Sequence, residues 1–396
     1  MVIGVPLESS PHEKRVALVP AVVPLLIKAG VNVIIERGAG ETAGFPDAAY
    51  EEQGASLAAD RARLLSMAEV FVQVHGLDLD AKRTDRKLPG RDQTLIGLLN
   101  PLGATEAVRE LAARGVTSFA LELLPRISRA QSMDALTSMA SISGYKAVLM
   151  AAGLLGKIFP MMITAAGTIT PSRVFVIGAG VAGLQAIATS HRLGAVVQAY
   201  DVRPAVKEQV ESLGAKFVEL ELESKGAEAA SGYATDMGED FYRRQRELLT
   251  RVVGESDVVI TTAAIPGKKA PVLITSEAVG GMRRGSVIID LAAEAGGNCR
   301  LTQAGRTVDV RGVTVIGPVN LSSTVPYHAS QMYARNAAAF LLNLVKDGEL
   351  QLNLEDQIIR DTLLTYKGEV ASPVVRQSLG LPVLTTPIRE QKSPDA

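Results

Sequence analysis

Apolar residues in this chain come in short runs of strand length, separated by stretches whose apolar positions recur at helical spacing. Runs at 2–6, 31–36, 70–74, 95–99 and 117–120 read as strands, and 20–29, 46–52, 57–67 and 105–114 as helices, with Gly30 stopping the first of them. This repeated strand–helix order predicts a largely parallel, doubly wound sheet. A long helix over 133–157 separates this series from a second one, with strands at 173–177, 196–200, 215–218, 258–261, 287–290 and 313–316. Residues 327–345 read as an apolar helix returning to the first series, and 350–366 as a segment packing on it. The two halves share a fold class only loosely, and no internal repeat is evident.

The most specific pattern lies where the strand at 173–177 ends. Gly178-Ala179-Gly180-Val181-Ala182-Gly183 is G-x-G-x-x-G, it opens a helical stretch, and Asp201 closes the next strand. Strand, glycine turn, helix, strand and acid form the order a dinucleotide requires. Gly178 permits the tight turn, Gly180 lets backbone approach a pyrophosphate, and Gly183 lets helix and strand pack closely. The N–H groups of the helix start face the phosphates. A carboxylate at Asp201 accepts ribose hydroxyls and disfavours a 2′-phosphate, which favours NAD(H). Arg203 weakens that preference, because an arginine can meet a phosphate. The expected architecture is α/β: two Rossmann-like doubly wound domains with a cleft between them, linked by long helices. The first spans 1–135 with about 330–384, the connecting helix 136–163, the NAD(H)-binding domain 164–328, and a polar tail 385–396.

Length and charge narrow the class. The chain has 396 residues, enough for two domains, and 47% of them are hydrophobic. Its formal net charge of -1 argues against a general nucleic-acid surface. Cys299 is the only cysteine, so no internal disulfide forms and a reducing compartment fits. The longest low-charge stretch, 147–171, is broken by Lys157, Pro160 and glycines, and falls short of the roughly 20 apolar residues of a membrane span. The N-terminus carries no basic leader.

Three loops fall at carboxyl ends of the second series of strands: Thr262-Ala263-Ala264, Gly296-Gly297-Asn298, and the loop carrying Asn320. Ligands bind at such ends in this fold class. The small residues of the first loop admit a ribose and a nicotinamide. Residues 221–246 are rich in glycine and small residues and read as a flap or as a surface loop followed by a solvated helix. In the first series, Pro125-Arg126-Ile127-Ser128-Arg129-Ala130-Gln131-Ser132-Met133-Asp134 precedes the long helix. Arg126 can clamp a carboxamide or carboxylate, and Gln131 can both donate and accept. Asp134 either caps the helix or orients Arg126, and Arg129 can simply face solvent. Amino-acid or alcohol oxidation requires a base, whereas hydride exchange between nicotinamides does not. His12 and His75, read in early loops, remain candidates for such a base. His191 lies away from the reacting ring and His328 at a helix start. No metal site is expected.

These runs, with Phe159-Pro-Met-Met, Ala165-Ala-Gly-Thr168, Lys207-Glu-Gln-Val-Glu-Ser-Leu-Gly214 and Gly232-Tyr233-Ala234, resemble the soluble NAD(H)-binding domain I of the proton-translocating nicotinamide nucleotide transhydrogenases over nearly all of residues 1–380. The resemblance implies that Arg126 holds the carboxamide, Gln131 bridges towards the partner nucleotide and Asp134 fixes the loop. Thr137 stands where the family has a serine contacting the carboxamide, and Tyr233 lies on a loop closing over NAD(H). It extends the NAD(H) contacts to Gly178, Gly180, Val181, Ala182, Gly183, Asp201, Val202, Arg203, Thr262, Ala263, Ala264 and Asn320. It further implies a homodimer, NADP(H) bound by a partner beta subunit, a membrane-spanning second alpha polypeptide that passes protons together with beta, and a place at the cytoplasmic face of the cell membrane. The expected reaction is hydride transfer from NADH to NADP⁺. Alanine dehydrogenase is the near relative and the rival. Its arginine corresponds to Arg15, its lysine to Gln73, its histidine to a position within 97–100 where none stands, and its second-domain aspartate to Glu294. The missing lysine–histidine pair disfavours amino-acid oxidation. A non-catalytic NAD-binding regulatory module is a third reading.

Overall fold

The computed structural model describes residues 1–10, 12–75, 89–220, 239–265 and 267–383. Its strands are, in chain order, β1 (Val2–Val5), β2 (Asn32–Glu36), β3 (Ser56–Ala58), β4 (Val70–His75), β5 (Thr94–Leu98), β6 (Thr117–Ala120), β7 (Met162–Thr164), β8 (Gly167–Ile169), β9 (Arg173–Ile177), β10 (Val196–Tyr200), β11 (Lys216–Phe217), β12 (Val258–Thr261), β13 (Val287–Asp290), β14 (Thr307–Val310), β15 (Val313–Ile316), β16 (Val345–Lys346), β17 (Glu349–Leu350), β18 (Leu363–Tyr366) and β19 (Glu369–Val370). The chain divides into two compact units, Met1–Met139 with the segment from Ser323 onward, and Ala140–Ser322.

The second unit holds a seven-stranded sheet in the order β11-β10-β9-β12-β13-β15-β14. All neighbours are parallel except β14, which runs antiparallel to β15. Without β14 this is the doubly wound order that reverses between its first and fourth strands, here β9 and β12. Both faces are covered. Val174 and Val176 of β9 belong to one apolar cluster, while Phe175 and Ile177 belong to another. That alternation is the two-residue period of a strand, and burial on both sides explains why these strands read as continuous apolar runs.

The first unit holds an eight-stranded sheet, β19-β18-β6-β5-β4-β1-β2-β3. Strands β1 to β6 are parallel, and β18 joins β6 antiparallel. Their order, β3-β2-β1-β4-β5-β6, repeats that of the second unit, so the two halves share a topology and not merely a fold class. The expectation of a loose relation is corrected here. It arose because topology leaves no residue-by-residue signature when the packing side chains differ.

Several elements depart from the expected bounds. The helix expected over 57–67 is strand β3 followed by a helix, Arg61–Met67. Asp60 separates them: its side chain accepts the Arg63 N–H and caps the helix. Residues 363–366, expected only to pack on the first unit, form β18 within its sheet. The long helix runs Ala135–Leu154, beginning after the extended Asp134. His75, expected in a loop, ends strand β4. No helix among the described residues is long and apolar enough to cross a membrane. Tyr233, residues 221–238 of the expected flap and the tail at 385–396 lie outside the described residues.

Candidate functional site

The glycine turn sits where β9 ends, beside the switch point. Gly178 has φ +96°, a conformation open to glycine, and its N–H donates to the Tyr200 carbonyl. A Cβ on Gly183 would run into the Gly178 carbonyl oxygen, so the helix Val181–Arg192 closes directly onto the turn. A Cβ on Gly180 would meet nothing within 4 Å, which leaves open space at the helix start. Gly180 provides no side-chain cap, so the first N–H groups, beginning at Val181 and Ala182, face that space. Open space, unpaired backbone donors and a 12-residue helix together fit a pyrophosphate. Gly144 on the long helix supports the same turn from behind: a Cβ there would strike the Ala182 carbonyl.

Asp201, just beyond β10, has a side chain only 6% exposed. Its Oδ2 accepts the Ala179 N–H at 2.8 Å and Arg203 Nη2 at 2.9 Å, and its Oδ1 accepts the Arg203 N–H at 2.9 Å and Nε at 3.0 Å. The acid is thus tied both to the glycine turn and to Arg203. Beside it lies a cavity of about 190 Å³ lined by Tyr200, Val202, Pro204, Lys207, Phe217 and Glu219 among others. Burial pushes the Tyr200 phenol up to about 12, and its hydroxyl accepts a hydrogen bond from Gln245.

The loop after β12 is held by residues that the sequence marks only as members of loops. Thr262 Oγ1 donates to the Gly178 carbonyl at 2.9 Å. Asn298 is fully buried; its Oδ1 accepts the Ala263 N–H at 3.0 Å and its Nδ2 donates to the Ala263 carbonyl at 2.7 Å and to the Pro271 carbonyl at 2.9 Å. Asp290, also fully buried, accepts from Thr261, Ala292, Cys299 and Thr302. Asn298 therefore fixes Ala263 through both backbone groups, and Asp290 fixes the strand and loop from which Asn298 projects. Ala264 follows, exposed. Asn320 adopts φ +47°, with its N–H 3.4 Å from Glu294 Oε2.

In the first unit, Arg126 and Gln131 are exposed on the segment preceding the long helix. Asp134 caps that helix: it accepts the Thr137 N–H at 2.9 Å and the Thr137 hydroxyl at 2.6 Å. The structure thus pairs Asp134 with Thr137. Arg129, read as solvent-facing, makes a bidentate pair with Asp356 at 2.6 and 2.7 Å.

A charged cluster stands at the first unit's own switch point, between β1 and β4. Arg15 is buried and donates to both oxygens of Glu13, at 2.7 and 2.6 Å, and its Nη2 lies 3.1 Å from His75 Nε2. His75 is also 3.2 Å from Glu13 Oε2. Gln73, the expected counterpart of the dehydrogenase lysine, offers its carbonyl to Tyr333 while its side chain is buried. The strand residue that faces Arg15 is therefore His75, one strand period beyond Gln73. Glu8 accepts the Val74 N–H at 2.6 Å, and desolvation, helped by the Glu13 charge, pushes its carboxyl up to about 7. Burial opposes the charge of Glu13, but hydrogen bonds from Arg15 and His75 outweigh it and hold this carboxyl well below the usual range. For His75 burial works against protonation, and the Glu13 hydrogen bond prevails to raise it. No group of metal-ligating side chains occurs among the described residues.

A sheet reversing at β9 and β12, a glycine turn with open donors and an acid at the next strand end define a dinucleotide-binding α/β protein. The chain matches the alanine dehydrogenase/PNT N-terminal domain over residues 4–143 and the corresponding C-terminal domain over 147–373, and it belongs to that family. Within it, the chain is 47% identical to the separate first portion of the NAD(P) transhydrogenase alpha subunit of Rhodospirillum rubrum, covering 95% of this chain and 99% of that protein. The transhydrogenase structure from Sinorhizobium meliloti superposes with a TM-score of 0.83 at 41% identity, covering 93% of this chain and all of that one. Alanine dehydrogenase of Bacillus subtilis is 28% identical over 96% of this chain and 95% of its own.

Proposed function

We propose that this chain is the NAD(H)-binding catalytic component of a proton-translocating transhydrogenase. The observation that carries the reading is the glycine turn and Asp201 at the switch point of the second unit, in a chain similar over almost its whole length to the first portion of a transhydrogenase alpha subunit. When bound, NADH supplies a hydride to NADP⁺ held by a beta subunit, and a membrane-spanning second alpha polypeptide and the beta subunit couple the exchange to proton passage.

The residues of this chain then have limited tasks. The helix start at Val181 and Ala182 binds the pyrophosphate, with Gly178, Gly180 and Gly183 letting it approach. Asp201, with Val202 and Arg203, receives the adenosine ribose. Thr262, Ala263, Ala264 and Asn320 line the path towards the nicotinamide. Arg126 holds the carboxamide, Gln131 reaches towards the partner nucleotide, and Asp134 keeps Thr137 and its hydroxyl in place. No side chain need move a proton, because a hydride passing between two nicotinamides demands alignment and dryness rather than a base.

A homodimer is included in the same reading. The hairpin β7–β8 leaves all six of its strand residues exposed, and Ile163 is 73% and Ile169 49% exposed. A lone two-stranded hairpin is marginal in water, and an apolar one is stabilised when a second copy covers it. The complex sits at the cytoplasmic face of the membrane, attached through its partner subunits.

The test is hydride transfer from NADH to an NADP⁺ analogue, with and without the purified NADP(H)-binding domain of a transhydrogenase. Alanine with NAD⁺ is run in parallel. Activity confined to the sample with the partner is expected. NADH formation from alanine without any partner would make the chain a soluble dehydrogenase instead.

A further inference from the structure

An ionised carboxylate has about four lone-pair positions for donors. At Asp201 four donors already fill them: the Ala179 N–H, the Arg203 N–H, and Arg203 Nε and Nη2. Two of these are backbone groups fixed by the turn. The other two belong to the Arg203 side chain, so a ribose that bonds to Asp201 must displace the guanidinium. Across the adjoining cavity Lys207 is bonded in the same way to Glu219. Each of these two cations is thus matched to its own carboxylate.

The geometry points to Arg203 as the residue that decides nucleotide selectivity: a built-in clamp for a 2′-phosphate that Asp201 holds occupied. The inference rests on the second unit binding NAD(H). A dinucleotide with free ribose hydroxyls replaces the two side-chain hydrogen bonds of Arg203 with its own. A 2′-phosphorylated one brings its negative charge against Asp201 while the guanidinium that could meet it is engaged there. Removing the charge of Asp201 reverses the situation, since a guanidinium pairs with phosphate through parallel charge-assisted bonds.

The test is fluorescence titration of the full chain with NADH and with NADPH, for wild type, Asp201→Asn, Arg203→Ala and the double variant, each checked by thermal melting. Wild type should bind NADH and bind NADPH at least about tenfold more weakly. Asp201→Asn should gain about tenfold in NADPH affinity, and adding Arg203→Ala should abolish the gain. Arg203→Ala alone should bind NADH as tightly as wild type or more so, because it removes the competitor for Asp201. The Arg203 side chain is 19% exposed, so this variant tests the idea even if Asp201→Asn fails to fold. A gain that survives in the double variant, or NADH binding weakened by Arg203→Ala, would overturn the clamp. Wild type binding neither nucleotide would instead overturn the NAD(H) reading beneath it.

Discussion

Thr262 donates its hydroxyl to the carbonyl oxygen of Gly178, 2.9 Å away, and this one hydrogen bond joins the strand ends on the two sides of the switch point. The same carbonyl is what a Cβ on Gly183 would strike. The turn is therefore closed from two directions. Gly183→Ala should force the helix off the turn, costing about 1–3 kcal/mol of stability, as overpacking does, and lowering NADH affinity by more than about tenfold. Thr262→Val should cost about 1 kcal/mol with a smaller loss of affinity. Urea unfolding and NADH titration of both variants check this; an unchanged Gly183→Ala would mean that the turn yields without consequence.

Asn298 satisfies both backbone groups of Ala263 from a fully buried position. Asn298→Ala leaves a donor and an acceptor of the cofactor loop without partners, and each orphaned buried group costs about 1–3 kcal/mol. The expected result is a lower melting temperature together with weaker NADH binding. Asn298→Asp keeps the acceptor for the Ala263 N–H but loses the donor for its carbonyl, so it should fall between the two. Equal affinity in all three proteins would show that Ala263 does not touch the nucleotide.

The glycine turn and Asp201 were legible because their roles are set by local backbone geometry and by spacing. Only a residue without a Cβ serves at Gly183, and the acid must follow one strand later. Asn298 carried no such mark. Its partner Ala263 is 35 residues away, and a buried asparagine looks in sequence like any loop asparagine. The meeting of Glu13, Arg15 and His75 was hidden for the same reason: 60 residues separate Arg15 from His75, and only the parallel placement of β1 beside β4 unites them. Strand β3 was misread because three residues are too few to show a period, although Asp60 marked where the helix begins. Strand β18 pairs with β6 from far along the chain, Leu363 opposite Phe119, a non-local contact that no window of sequence displays.

The charged cluster of the first unit predicts a specific pH dependence. Glu8 holds its proton up to about 7 in the folded chain, against an ordinary value of 4.5, so the unfolded chain binds fewer protons between those values. Its contribution is therefore present at low pH and lost as pH rises through about 7. Glu13 acts in the opposite sense, its stabilisation being lost as pH falls below the ordinary carboxylate range, and raised His75 acts in the sense of Glu8. Arg15 and Tyr333 face the same cluster and remain charged and neutral respectively. Glu8→Gln keeps an acceptor for the Val74 N–H and removes the ionisation. Relative to wild type, this variant should become more stable as pH is raised from about 5 to about 8. Denaturant melts of both proteins across that range check it, and parallel curves would refute the assignment to Glu8.

The exposed hairpin predicts how the oligomer should fail. Ile163 and Ile169 lie on paired strands, with Met162 opposite Ile169, so a second copy meets a compact apolar surface rather than scattered side chains. Burying an isoleucine side chain contributes about 1.5–3 kcal/mol. Replacing both with aspartate removes that gain and places charge in the contact, so self-association should weaken by at least about a hundredfold. The residues touch solvent in the isolated unit, and the melting transition of the monomer and its NADH affinity should stay close to wild type. Sedimentation velocity over a range of protein concentrations measures the first effect and nucleotide titration the second. A double variant that sediments as wild type would place the dimer contact elsewhere on the chain.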